Sequence, residues 1–267
     1  MNTIGFIGCG NMGSAIARAV CKTLPPEQVL LANRTPAKAE ALAKELGCPT
    51  ADNEAVAARC SWIVLAVKPQ MMAGVLEALR PVLAARQDRF ILCTLAAGLT
   101  MARIQEMAGG EHPVVRFMPN TPSARGAGMI QYCSTGVSPE EENEFCRMLS
   151  QAGRLDALPE NLIDAASCVS GCGPAWAYQF IEALADGGVA CGLPRAKAQQ
   201  YAAQMLLGSA VMVLESGQHP GELKDAVCSP GGSTIQGVRT LEERGFRGVV
   251  TDAVIAAFDK TKEMGKG

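Results

Sequence analysis

Thr3-Ile4-Gly5-Phe6-Ile7-Gly8-Cys9-Gly10-Asn11-Met12-Gly13 carries a short apolar run straight into a glycine-rich turn. The run suits a buried strand, and the Ala-rich stretch beginning near Asn11 suits a helix. The glycines between them match GxGxxG. Gly8 permits the tight turn, Gly10 lets the backbone approach a pyrophosphate, and Gly13 lets the helix pack closely on the strand. The helix N-terminus then favours the anion. A lone GxGxxG is a weak signal, but here strand, loop, helix and a next strand at Val29 stand in order. That order reads as dinucleotide binding in a Rossmann-type, doubly wound α/β fold.

Outward from this loop, short aliphatic runs alternate with longer Ala-rich stretches, the rhythm of βαβ units around a parallel sheet. The expected strands are Thr3 to Ile7, Gln28 to Asn33, Trp62 to Val67, Phe90 to Leu95 and Val114 to Met118, with a further one near Met129 to Cys133. Ser138-Pro139-Glu140-Glu141 reads as a helix start, because Ser can cap, Pro suits the first helical position and Glu141 can return a bond. That helix closes a first domain, residues 1–158. From about Asn161 onward only helical stretches occur, punctuated by Gly and Pro, so residues 159–267 read as an all-helical second domain. Within it, Ala175 to Cys191 and Ala198 to Leu214 are apolar around much of their circumference. Burial against a partner chain explains this, as does a central place for one helix in its own domain.

The 267 residues suffice for a sizeable core, so size permits an enzyme. The 24 Lys and Arg against 26 Asp and Glu leave a net charge of −2, without the basic footprint that nucleic-acid binding needs. Eleven cysteines, an odd and scattered set with no signal-like start, suggest a reduced, cytoplasmic chain. Cys168 and Cys172 lack further ligands at metal-site spacing and read as small core residues, so no metal is expected. The longest uncharged stretches fall short of the ~20 apolar residues of a membrane span.

The end of the second strand carries Asn33-Arg34-Thr35 where NAD-binding chains place an acid. The planar cation of Arg34, with Asn33 and Thr35 beside it, suits the 2′-phosphate of NADP, although a solvated loop arginine would read the same. NADPH is therefore the expected cofactor, with NADH weaker. Asn53 opens a helix and serves either as its N-cap or as a residue facing the adenosine. Ala66-Val67-Lys68-Pro69 and Leu95-Ala96-Ala97-Gly98 lie at carboxyl ends of strands, where ligands of open α/β sheets bind. Lys68 is open to a catalytic role or a simple outward position.

A dehydrogenase acting on an alcohol must handle a hydroxyl proton, commonly with His. The chain has two, His112 and His219, each preceding a Pro in a turn. A substrate that needs little protein acid fits better, and a cyclic imine is one, since its nitrogen protonates near neutral pH and hydride addition then needs mainly orientation. Ser229-Pro230-Gly231-Gly232-Ser233-Thr234 is a Gly-rich turn entering a helix. Its free N–H groups and hydroxyls suit a carboxylate, and a plain capped turn would look alike.

Together these stretches resemble the pyrroline-5-carboxylate reductases, which reduce Δ1-pyrroline-5-carboxylate to L-proline in the last step of proline biosynthesis. The likeness also covers Val115-Arg116-Phe117-Met118-Pro119-Asn120-Thr121-Pro122, Ser170-Gly171-Cys172-Gly173-Pro174-Ala175 and Asp225 through Thr234. It implies an oxidoreductase acting on a CH–NH bond, with a helical domain that forms a homodimer, higher assemblies of dimers, and no nucleic-acid or membrane partner. By this resemblance the cofactor falls to Gly8, Cys9, Gly10, Asn11, Met12, Gly13, Asn33, Arg34, Thr35, Asn53, Ala66, Val67, Lys68, Pro69, Ala96 and Ala97. The substrate carboxylate falls to Ser229, Pro230, Gly231, Gly232, Ser233 and Thr234, with the Thr234 hydroxyl beside the ring nitrogen. The chain departs from some relatives at Ala226, where they carry Asn, and at Gly217, where they carry Glu. A β-hydroxyacid dehydrogenase using Lys197 or Lys224, and a non-catalytic NADP sensor, are the competing readings.

Overall fold

The computed structural model describes residues 4–265, and Thr3 of the opening run lies outside them. Two compact units are present, one of residues 1–172 and 257–267, the other of residues 173–256. Residues 159–172 and 257–265 group with the first unit.

The first unit is built on a seven-stranded sheet of β1 (Ile4–Ile7), β2 (Val29–Ala32), β3 (Trp62–Leu65), β4 (Ile91–Thr94), β5 (Val114–Met118), β6 (Gly128–Thr135) and β7 (Gly153–Ala157). Its order is β2-β1-β3-β4-β5-β6-β7. All neighbours are parallel except β5 and β6. Strands β1, β3, β4 and β5 are buried along their whole length. That burial on both faces is why they read as unbroken apolar runs rather than as alternating ones.

Helices cover both faces: α1 (Asn11–Val20), α2 (Pro36–Leu46), α3 (Asn53–Arg59), α4 (Pro69–Ala85), α5 (Met101–Ala108), α6 (Pro139–Leu149) and α7 (Glu160–Ser170). Ile4, Phe6, Trp62 and Val64 point to one apolar layer, shared with Ile16 of α1, Leu42 of α2 and Phe145 of α6. Ile7, Ile63 and Leu65 point to the other, with Val56 of α3, Leu76 of α4, Ile104 of α5 and Ile163 of α7. The period of two along each strand thus sorts one sequence into two layers. Helix α6 begins in a full capping box, Ser138 accepting from the Glu141 N–H while Glu141 accepts from the Ser138 N–H.

Three expectations are corrected. Strand β7 was not anticipated; it is an edge strand in which Leu155 is flanked by the exposed Arg154 and Asp156, so its pattern is faint. Asn53 is not a cap, because Asp52 holds that position and accepts from the Ala55 N–H at 2.7 Å. Cys168 is buried as expected of a core residue, whereas Cys172 is exposed.

The second unit carries α8 (Gly173–Ala190), α9 (Arg195–Ser216), α10 (Pro220–Ala226), α11 (Ser233–Glu243) and the first part of α12 (Phe246–Met264). Its buried residues are Ala185, Ala198 and Ala202. Leu207, Val211 and Leu214 of α9 stand exposed at i, i+4, i+7 spacing, and Val249 and Ile255 of α12 are exposed too. Three alanines are no core for five helical segments.

Candidate active site

In the order β2-β1-β3 the chain leaves β1 first to one side and then to the other, and such a reversal opens a crevice at the carboxyl ends of the strands. Gly8 leaves β1 there, with its N–H bonded to the Ala32 carbonyl at 2.8 Å and φ of +113°. A Cβ at Gly8 would lie 2.4 Å from the Ala66 carbonyl oxygen, so the dinucleotide loop and the turn after β3 touch backbone to backbone. A Cβ at Gly13 would lie 2.2 Å from the Gly8 oxygen, which seats α1 against the loop. Around Gly10 a Cβ would meet nothing, and the residue is exposed. Open space directly above the N-terminus of α1 is the room a pyrophosphate needs.

Cys9 and Asn33 act on the loop itself. The Asn33 side chain accepts from the Cys9 N–H at 2.9 Å and donates to the Thr35 carbonyl at 2.9 Å, tying the ends of β1 and β2 together. The Cys9 thiol turns inward toward the Ala32 carbonyl, and burial pushes it up to about 11. Arg34 and Thr35 are exposed, and the Thr35 side chain makes no capping bond to α2. Arg34 lines a cleft of about 840 Å³ with Asn33, Asn53 and Thr50. The cleft brings together two sequence segments, Asn33-Arg34 and Asn53, each chosen for the adenosine end of a cofactor.

Lys68 is exposed at the N-cap of α4, with Pro69 at that helix's first position. Ala96 is buried, 1% exposed, and Ala97 is half-buried. Both turns lie at carboxyl ends of sheet strands, β3 and β4.

On the second unit, Gly231 has φ of +70° and the Gly232 N–H closes the turn onto the Ser229 carbonyl at 3.0 Å. Gly232 is the N-cap of α11 and offers no side-chain cap, so the N–H groups of the first turn, at Ser233 and Thr234, keep their donors outward. Both residues are exposed. A turn with free N–H groups at a helix N-terminus can accept an anion. Gly217, one of the departures from the resemblance, is the left-handed residue that ends α9, and Ala226 ends α10.

Neither histidine is placed for acid–base work. The His112 ring packs on Phe90 with centroids 5.0 Å apart, and burial lowers its pKa. His219 caps α10, its Nδ1 accepting from the Gly221 N–H at 3.0 Å. Lys224 is paired with Asp225 at 2.6 Å, and that hydrogen bond raises its pKa, the wrong direction for a general base. Among the described residues no group of three or more His, Cys, Asp or Glu is placed to hold a metal ion, and no helix is long and apolar enough to cross a membrane.

Arg116, Asn120 and Ser170, quoted in the family likeness without a role, support this arrangement together with residues the sequence did not single out. Arg116, 1% exposed on β5, pairs with Asp164 and Glu160 of α7, and Glu160 also accepts from the Met101 N–H at 2.7 Å. Asn120 donates to the Ser170 carbonyl and accepts from the Met129 N–H, while Ser170 donates to Gln131. The signal for Arg116 was a charge inside Val114-Val115-Arg116-Phe117-Met118, an otherwise apolar run.

Comparison with known proteins agrees with this geometry. Residues 160–264 match the family described as pyrroline-5-carboxylate reductase dimerisation, and residues 3–96 match that described as NADP oxidoreductase coenzyme F420-dependent. Pyrroline-5-carboxylate reductase of Escherichia coli (strain K12) is 39% identical over 98% of each chain. That of Synechocystis is 41% identical over the same shares. The crystal structure of Plasmodium falciparum pyrroline carboxylate reductase with NADP bound has a TM-score of 0.89 and 35% identity, covering 99% of this chain and 98% of that one. The chain belongs to the pyrroline-5-carboxylate reductase family.

Proposed function

We propose that the protein reduces Δ1-pyrroline-5-carboxylate to L-proline with NADPH, the last step of proline biosynthesis. What supports this reading is a chain of this family that holds both a dinucleotide loop open at Gly10 and a Gly-rich turn with free N–H groups at Gly231-Gly232-Ser233.

NADPH, when bound, supplies a hydride for the carbon of the C=N bond. The residues present fit it: Gly8 through Gly13 would hold the pyrophosphate, Arg34 and Asn53 would border the adenosine, and Ala66 through Pro69 with Ala96-Ala97 would line the nicotinamide side. The backbone N–H groups at Ser233 and Thr234 hold the substrate carboxylate, aided by the dipole of α11. The imine nitrogen is basic enough to carry its own proton near neutral pH, so the chain's task is orientation. The Thr234 hydroxyl, by the family likeness beside the ring nitrogen, would orient the imine.

The active species is a cytoplasmic homodimer formed through the helical unit. Its support is the exposed stripe Leu207-Val211-Leu214 on a unit whose buried residues are three alanines, a patch of the kind that marks a protein interface.

Thr234→Ala tests the substrate half. It is expected to lower kcat about tenfold or more while NADPH affinity stays within about twofold. A large loss of NADPH affinity would move Thr234 out of the substrate site. Arg34→Asp tests the cofactor half, with NADPH weakened and NADH spared; equal losses would remove the 2′-phosphate assignment.

A further inference from the structure

Two cysteines meet where α1 and α2 end. Cys21 is the C-cap of α1, and Cys48 follows Gly47, the left-handed residue that ends α2. Their Sγ atoms lie 3.4 Å apart, although 27 positions separate them in sequence. Each thiol is mounted on fixed backbone. The Cys21 N–H donates to the Ala17 carbonyl at 2.9 Å, and the Cys48 N–H donates to the Ala43 carbonyl at 3.1 Å. The adjoining Pro49 carbonyl accepts from the Leu31 N–H of β2 at 3.1 Å. Three residues earlier in each segment, Arg18 and Glu45 join the same two helices through two hydrogen bonds of 2.7 Å. Cys48 is buried and Cys21 is half-buried, so a small reagent has its way in on the Cys21 side. One buried cysteine reads as a small packing residue. Two thiols in contact are a different case, because a disulfide asks for sulfurs about 2.05 Å apart and side-chain rotation can close so short a gap.

We infer that Cys21 and Cys48 form a reversible oxidation site, at which a small two-electron oxidant of the peroxide class joins α1 to α2 by a disulfide and stabilises the first unit. The inference is independent of the cofactor and substrate assignments above. In the first step one thiol gives up its proton and its sulfur attacks a peroxide oxygen. The O–O bond breaks, and the hydroxide that leaves takes up that proton as water. The second thiol then loses its proton and attacks the sulfenic sulfur; the S–S bond forms, the S–O bond breaks, and a second water leaves with that proton. Two thiols and one hydrogen peroxide thus become one disulfide and two waters, with both sulfurs oxidised and both oxygens reduced. Burial raises both thiols, Cys21 to about 12, so thiolate is scarce at neutral pH and the reaction is slow. Once formed, the disulfide removes freedom from the unfolded chain. It lies at the opposite end of α1 from Asn11, so the dinucleotide loop keeps its shape.

The test is treatment of the full-length protein, and of Cys21→Ala and Cys48→Ala, with hydrogen peroxide over several hours. Remaining thiols are then alkylated, and non-reducing peptide mass spectrometry and thermal melts are run before and after dithiothreitol. The unsubstituted chain is expected to yield a peptide pair joining Cys21 to Cys48, lighter by two hydrogens than the two peptides apart. Its Tm is expected to rise by about 5 °C or more relative to the change in either variant treated alike, a comparison that removes the effect of oxidation elsewhere. Dithiothreitol is expected to abolish both the linked pair and the gain. Absence of the pair at a dose that oxidises the thiols of the urea-unfolded chain would overturn the site, as would sulfinic acid at Cys21 or Cys48 in its place. The linked pair without a gain in Tm over the variants would overturn the stabilising role of the link.

Discussion

The α-carbon of Gly13 sits so close to the carbonyl of Gly8 that a single added methyl would lie 2.2 Å from its oxygen, whereas Gly10, midway between them, faces open space. Two glycines of one motif therefore serve different ends, packing at Gly13 and ligand approach at Gly10. Gly13→Ala forces backbone to move and is expected to cost about 3 kcal/mol or more, read as a fall in Tm. Gly10→Ala is expected to keep Tm within a few degrees while weakening NADPH by about tenfold or more, because its methyl occupies the space above α1. Calorimetry and thermal melts on the two variants separate the effects; equal Tm losses would contradict the division.

Cys9 contributes its backbone rather than its thiol. The Sγ atom points to the Ala32 carbonyl, and burial disfavours the thiolate, raising the group to about 11. The thiol is therefore protonated at neutral pH, and its alkylation is expected to be slow at pH 7 and to quicken about tenfold per pH unit below about 11. Peptide mass spectrometry after timed iodoacetamide labelling reads this directly. Cys9→Ala is expected to leave NADPH affinity within about threefold, since the N–H bonded to Asn33 remains.

Arg116 and Asp164 hold α7 against β5 at almost no exposure of the arginine. Removing the carboxylate leaves a buried guanidinium with Glu160 at 3.6 Å and with Nε already lacking a partner. Asp164→Ala is expected to cost on the order of 3 kcal/mol. Arg116→Met removes the buried charge and leaves Asp164 and Glu160, both in reach of water, so it is expected to cost less. Urea denaturation of both variants gives the order, and the reverse order would show that the pair's role is not charge compensation.

Gly231→Val probes the Gly-rich turn. Its φ of +70° disfavours a β-branched residue, and no atom crowds the site, so the change acts on the turn itself. KM for pyrroline-5-carboxylate is expected to rise about tenfold or more while NADPH binding, which belongs to the other unit, is unchanged. Parallel loss of NADPH affinity would argue that the turn serves the cofactor instead.

Much of this was legible in order along the chain. The β1 run, the GxGxxG loop and the α1 start at Asn11 appear where the residues place them, because glycine spacing, burial on both faces and helix onset all point one way. The Ser138 capping box is equally local. Strand β7 was hidden because Leu155 alone carries an apolar signal on an exposed edge, and the antiparallel turn of β6 depends on pairing with β5, which no local pattern encodes. Asp52 rather than Asn53 caps α3 because both residue types cap well and only backbone geometry separates them. The tie from Asn33 to Cys9 spans 24 residues, so no local pattern encodes it.

The most direct measurement of the central claim is the loss of NADPH absorbance on adding pyrroline-5-carboxylate, with proline quantified in the same samples. One proline formed per NADPH oxidised, with NADH slower and a β-hydroxyacid with NADP giving no turnover, is the result the account predicts. NADPH binding without turnover of pyrroline-5-carboxylate, or oxidation without proline, would contradict it.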